Sequence, residues 1–217
     1  MKIPIIIETT HFLALNKPAG LIVERNPWEP SVESIVYEYL QRQRPKPFLG
    51  VVHRLDRVTS GVLLMAQKKS ALKELNRQFA ERQIKKIYLA VVEQAPPASE
   101  GKLEHWLFKD QPNKRAVVFE QQRKDTVFCS LSYRTLGEGL LEIRPDTGKF
   151  HQIRAQLAAI GCPIVGDGAY GAQTSYQPNA IMLHAWKLGF KDPQNGEAVL
   201  LEAPLPEDEQ WGRVEWW

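Results

Sequence analysis

Residues 51–67 read Val-Val-His-Arg-Leu-Asp-Arg-Val-Thr-Ser-Gly-Val-Leu-Leu-Met-Ala-Gln, a polar stretch set between two apolar ones. A loop carried between buried segments has this pattern, and such loops are where binding and catalytic groups concentrate. Its centre, His53 through Gly61, is dense with titratable groups. If the backbone is extended there, Arg54 and Asp56 share a face and Arg57 points away, while Thr59-Ser60-Gly61 supply hydroxyls and a permissive residue for a tight turn. Flanking guanidinium groups favour the ionised form of an acid. The same residues equally suit an Arg–Asp bridge that merely fixes a loop, so the segment taken alone leaves both readings open.

Upstream, β-like runs at 3–7 and 12–16 lead to Asn16-Lys17-Pro18-Ala19-Gly20, a turn by its Pro and Gly. From Ser31 the apolar positions Val32, Ile35, Val36, Tyr39 and Leu40 recur at helical spacing, and Pro45 and Pro47 stop the pattern. Downstream, a second helix follows Ser70, with Leu72, Leu75 and Phe79 on one stripe. Residues 85–93 read as a strand, 95–101 as a turn, and 102–107, 115–119, 126–136 and 139–144 as strands suited to antiparallel pairing. A helix over 150–160, closed by Gly161, precedes final strands at 180–190 and 198–203. This order is not a regular βαβ alternation. It predicts an α+β fold: a bent, mixed but mainly antiparallel sheet flanked by helices, with a central active-site cleft. No repeat or linker divides the chain, so residues 1–217 are expected to form one domain.

At 217 residues and 43% hydrophobic content the chain can bury a real core. No apolar run approaches the roughly 20 residues of a membrane-spanning helix and no basic-then-apolar leader opens it, which predicts a soluble, cytoplasmic protein. Cys129 and Cys162 stand apart, so neither a zinc-type cluster nor a disulfide framework is expected. The net charge of +3 is unevenly spread: residues 202–217 hold one Arg against five carboxylates, including Glu215, leaving 27 Lys+Arg against 20 Asp+Glu in residues 1–201. Basic residues gather at Arg42/Arg44/Lys46, Arg77/Arg82/Lys85/Lys86 and Lys109/Lys114/Arg115, although such clusters are more often solvated surface than a phosphate track. Phosphate-loop, dinucleotide and His-Glu-x-x-His signatures are missing. Gly166-Asp167-Gly168-Ala169-Tyr170-Gly171 lacks the Lys and the spacing of a nucleotide cradle and reads as a tight turn.

His-Arg-Leu-Asp-Arg-x-Thr-Ser-Gly, as it stands at 53–61, resembles the catalytic signature of RluA-type RNA pseudouridine synthases. Further blocks match in the same order: Asn16 to Gly20, Lys86-Ile87-Tyr88-Leu89-Ala90, Thr147-Gly148-Lys149-Phe150-His151-Gln152-Ile153-Arg154, Gly161 to Gly171, Leu183 to Leu188, and Glu202 to Pro206. The ordered set covers most of the chain. The resemblance implies a pseudouridine synthase domain over 1–217, lacking the S4-like RNA-binding domain that precedes it in many relatives. It implies Asp56 as the catalytic carboxylate, Arg154 as its basic partner and Tyr88 as the ring packed on the target base. It also implies Arg54 as the residue filling the gap left by the extruded nucleotide.

His53, Arg57, Lys17, Lys149 and His151 complete the expected RNA contacts. A lone His near a motif is more often structural, and Asn16 and Lys17 are likelier cleft wall than reagent. Structured RNA, ribosomal or transfer, is the implied partner, with no membrane, no protein partner and a monomer expected. The isomerisation needs no metal and no organic cofactor. Departures from the family pattern are Lys149 and Phe150, where Arg and Thr are usual, and Gln156, where a His is common; they bear on RNA contacts. A base glycosylase and a catalytically silent RNA-binding protein are the alternatives; a zinc deaminase is excluded by the lack of ligand clusters.

Overall fold

Ser31 starts the first helix in the way a capping box does. Its side chain accepts the Ser34 N–H, and the Ser34 side chain answers the Ser31 N–H. The computed structural model describes residues 2–212. In chain order its elements are β1 (Ile5–Glu8), β2 (Phe12–Lys17), α1 (Val32–Gln41), β3 (Gly50–Val51), β4 (Ser60–Ala66), α2 (Lys69–Ala80), β5 (Lys85–Val91), β6 (Glu100–Asp110), β7 (Arg115–Phe119), β8 (Thr126–Gly137), β9 (Leu140–Pro145), α3 (Gln152–Ala159), a 3-10 turn (Gly168–Tyr170), β10 (Leu183–Lys191), β11 (Ala198–Glu202) and α4 (Glu209–Gly212). They divide between two compact units, one drawn from Met1–Lys86 and His184–Pro206, the other from Ile87–Leu183 and Glu207–Trp217. Arg213 and Glu215 of the acidic tail lie outside the described residues.

In the first unit the strands pair in the order β1-β2-β4-β10, with β3 also on β4 and β11 on β10. All these ladders are antiparallel except β4 with β10. The period of two along β2 sends Phe12 and Ala14 to one face and Leu13, Leu15 and Lys17 to the other. On the first face Phe12, Ala14, Val62, Leu64 and Ala66 pack with Leu188 and Phe190 against the α2 residues Ala71 and Leu75. Every residue of β4 is buried, as its unbroken apolar run requires.

The second unit is an antiparallel sheet in the order β5-β9-β8-β6-β7. Leu107, Ala116 and Cys129 from this sheet pack with Ala155 of α3. The α+β class and the mainly antiparallel pairing therefore match the sequence reading. The tight turn expected at 59–61 falls earlier: the Thr59 N–H donates to the Asp56 carbonyl at 3.1 Å, and Ser60 and Gly61 already belong to β4. The chain can enter β4 so abruptly because Gly61 has φ +114°, where a Cβ would lie 2.3 Å from the Ala185 oxygen.

Candidate active site

Asp56 sits, half-buried, at the first corner of this turn, between β3 and β4. The loop is held from behind by the Asn16 to Gly20 block. The Arg57 carbonyl accepts the Gly20 N–H at 2.8 Å and the Lys17 ammonium at 3.2 Å, and Lys17 also donates to the Pro18 carbonyl at 2.8 Å. Lys17 is fully buried. Burial pushes its pKa down to about 7, against the attraction of Asp56 and with the help of repulsion from Arg57. Its amine is thus enclosed against the Asp56 loop, where the sequence predicts a contact to RNA.

The other loop residues divide between the interior and the surface. His53 Nε2 accepts the Leu64 N–H at 3.0 Å, and the ring stacks on Phe79 with centroids 5.1 Å apart. Desolvation, reinforced by Lys86, lowers the His53 pKa to about 3, so the imidazole is neutral near pH 7 and anchors the loop to β4. Leu55 is buried. Arg54 and Arg57 turn outward, Arg54 to Glu24 at 2.6 Å and Arg57 to Glu29. The guanidinium charges flanking Asp56 in sequence are therefore bonded to glutamates of the 24–30 loop, which the spacing of residues did not reveal. Ser60 and His184 join at 2.8 Å, and His184 Nε2 lies 3.3 Å from the Ala203 carbonyl. A donor is needed at Nε2, so Nδ1 accepts the Ser60 hydroxyl. Asn16 Nδ2 donates to the Pro204 carbonyl at 2.9 Å. The blocks at 16–20, 53–61, 183–188 and 202–206 thus meet around one loop.

In the second unit Arg154 lies on α3, buried, and donates through Nε and Nη2 to the two oxygens of Asp167 at 2.7 and 2.8 Å. This bidentate geometry fixes the plane of the guanidinium. Asp167 is itself buried, in the glycine-rich stretch read from sequence only as a turn. Tyr170, from the same stretch, lies under the Arg154 guanidinium at 5.0 Å; its hydroxyl accepts the Ala116 N–H at 2.7 Å and meets His151 Nδ1 at 3.0 Å. His151 occupies the N-cap of α3 with φ 51° and stacks on Phe150. Lys149 and Phe150 are exposed, with the Lys109 ammonium 5.1 Å from the Phe150 ring. Gln156, by contrast, is fully buried; its Nε2 donates to the Leu103 carbonyl at 3.1 Å and lies 3.0 Å from His105 Nδ1. That departure from the family pattern is a core substitution and cannot touch RNA. Tyr88, half-buried on β5, pairs with Ile143 of β9. Among the described residues no group of His, Cys, Asp and Glu could hold a metal ion.

The model of the RNA pseudouridylate synthase family matches residues 11–159. The chain belongs to that family. It is 34% identical to the dual-specificity RNA pseudouridine synthase RluA of Escherichia coli K12, over 92% of this chain and 92% of the relative. It is also 34% identical to ribosomal large subunit pseudouridine synthase C of Buchnera aphidicola from Acyrthosiphon pisum, over 95% of this chain and 68% of the longer relative. The human RNA pseudouridylate synthase domain containing 4 shares the fold, with a TM-score of 0.79 over 94% of this chain and 89% of its own, at 22% identity. The enzyme class is thus that of a pseudouridine synthase, an isomerase, within the RluA family. No helix among the described residues is long and apolar enough to cross a membrane.

Proposed function

We propose that this protein converts chosen uridines of a structured ribosomal or transfer RNA to pseudouridine, with Asp56 as the indispensable carboxylate and residues 1–217 acting as one catalytic domain. The observation that carries the reading is the Asp56 loop: a half-buried carboxylate at a turn whose backbone is gripped by a buried Lys17 and by the Gly20 amide. Such second-layer anchoring is what a preorganised reacting group requires. The reaction breaks the N1–C1′ bond, turns the uracil while it stays bound and joins C5 to C1′. N1 gains a proton and C5 loses one, so no electron carrier is needed. Asp56 acts at the sugar.

Arg154, its plane set by Asp167, is proposed as the basic partner of that carboxylate, and Tyr88 as the stacking face for the uracil. Arg54, Arg57, Lys149 and His151 are proposed to meet the RNA, Arg54 by occupying the space of the flipped nucleotide. Lys17 and His53 serve by holding the loop. One relative is named for the large ribosomal subunit, which supports a ribosomal target, and another for dual specificity, which supports more than one target. The test is to incubate the protein with RNA from cells lacking its gene and to map pseudouridine by sequencing. New pseudouridine at discrete sites supports the reading. Release of free uracil without pseudouridine would assign the protein to the glycosylases instead.

A further inference from the structure

Trp28 is 90% exposed, far more than any other large apolar side chain among the described residues; Leu200 follows at 66%. Tryptophan has the most to gain from burial, and here it stands at the tip of a loop built to keep it out. The loop is closed at its base, where Val32 N–H donates to the Ile22 carbonyl and Glu33 N–H to the Val23 carbonyl. Pro27 and Pro30 bracket the tip, and the Trp28 N–H donates to Asn26 Oδ1 at 2.8 Å in an Asx turn. On either side of Trp28 the loop is tied to the motif: Glu24 holds Arg54, and Glu29 holds Arg57, the two arginines on either side of Asp56. Trp28 is therefore carried on a loop whose two flanks are tied to the arginines beside Asp56.

We infer that Trp28 is an RNA-binding residue: its indole stacks on an unpaired base of the RNA outside the target uridine, while Arg57 takes an adjoining phosphate and Arg54 fills the space of the flipped nucleotide. The inference rests on the proposed RNA substrate and adds a contact that the sequence motifs do not contain. The arginines select the ligand class, because exposed guanidinium groups next to an unburied aromatic ring match the phosphate and π-face of a nucleic acid strand. Two prolines and an Asx turn restrain the backbone that carries the ring before binding, so little backbone freedom is lost when a base arrives. Glu24 and Glu29 keep the arginines in register with the loop until the RNA competes for them. Stacking of this kind tolerates any base, so Trp28 sets affinity and the placement of the strand and leaves the choice of base to other contacts.

The experiment uses the full chain with pseudouridine-free transcripts of a transfer RNA pool and of large-subunit ribosomal RNA. Trp28→Phe, Trp28→Leu and Trp28→Ala are compared with wild type for binding at fixed salt, KM, kcat and thermal melting. Losing one stacked base weakens binding by about 5- to 150-fold. Trp28→Ala and Trp28→Leu should show that loss, mostly in KM, with unchanged melting. Trp28→Phe should keep most of the affinity, since a flat ring remains. Acrylamide quenching of the fluorescence that distinguishes wild type from Trp28→Phe should fall when RNA is bound. Affinity of Trp28→Ala within twofold of wild type, or quenching unaltered by RNA, would overturn the inference, as would a ring that is shielded only by a protein partner. Binding and quenching are read separately from turnover. A wild type that makes no pseudouridine therefore sinks the proposed function alone, and Trp28 is still judged on whether it contacts RNA.

Discussion

Arg154 and Asp167 bury two full charges against each other, with side-chain exposures of 6% and 2%. Bringing both out of water is expensive, and the two parallel hydrogen bonds and the Tyr170 ring offset part of that cost. Removing one partner leaves the other charged in a low dielectric, at a cost of about 3–5 kcal/mol. Asp167→Ala should therefore lower the unfolding free energy in urea by about that much, and Arg154→Met with Asp167→Leu should recover a large part of it while activity stays lost. A loss below about 1 kcal/mol for Asp167→Ala would contradict the buried-pair account. Asp56 and Arg154 stand out in the sequence as candidates because they lie inside recognisable blocks. Asp167 carries no such signal, since nothing local shows that a carboxylate in a glycine turn will meet an arginine 13 residues earlier. Lys17 left a fainter signal: it shares a face of β2 with the buried Leu13 and Leu15, and so was bound for the interior.

The β3–β4 connection works as an element because β4 begins where almost nothing but glycine fits. Gly61 combines φ +114° with backbone of β10 where a Cβ would stand, whereas Gly161, after α3, has φ +76° and open space. Gly61→Ala should cost about 3 kcal/mol or more, from overpacking added to backbone strain, and Gly161→Ala only about 1–2 kcal/mol. Thermal unfolding of the two variants checks this, and equal costs would show that β10 yields to the added methyl group. At this scale the sequence was informative about which segments are strands and helices, because apolar periodicity persists along them. It was less so about ends. The region read as a turn at 95–101 runs into β6 at Glu100, and α3 begins at Gln152 because His151 takes the left-handed conformation. The four-residue α4 is too short to leave a periodic trace.

For the molecule as a whole, charge was a weaker guide than the ordered blocks. The cluster around Arg77 is partly neutralised, since Arg77 pairs with Glu74 at 2.7 Å and with Glu81, as an ordinary solvated helix surface would be. Acid stability should depend instead on two histidines, the half-buried His53, with its pKa lowered to about 3, and the buried His184, lowered to about 4, both chiefly by desolvation. The unfolded chain binds protons near pH 6.5 that the folded chain refuses, so the stabilisation is complete above pH 6.5 and is lost as pH falls toward 4 and 3. Each histidine should contribute at most about 1.4 kcal/mol per pH unit in that window, and His184→Asn should flatten the slope measured by urea unfolding between pH 6.5 and 4. A slope that is unchanged in the variant would remove His184 from this role. Asp56→Asn, which keeps size and removes charge, tests whether the gripped carboxylate of Asp56 isomerises uridine in RNA. Single-turnover pseudouridine formation is measured with RNA binding on one transcript that the wild type modifies. The variant should give no product at binding within about threefold of wild type, since phosphate contacts carry most of the affinity. Comparable pseudouridine yields from the two proteins at matched folding would contradict it.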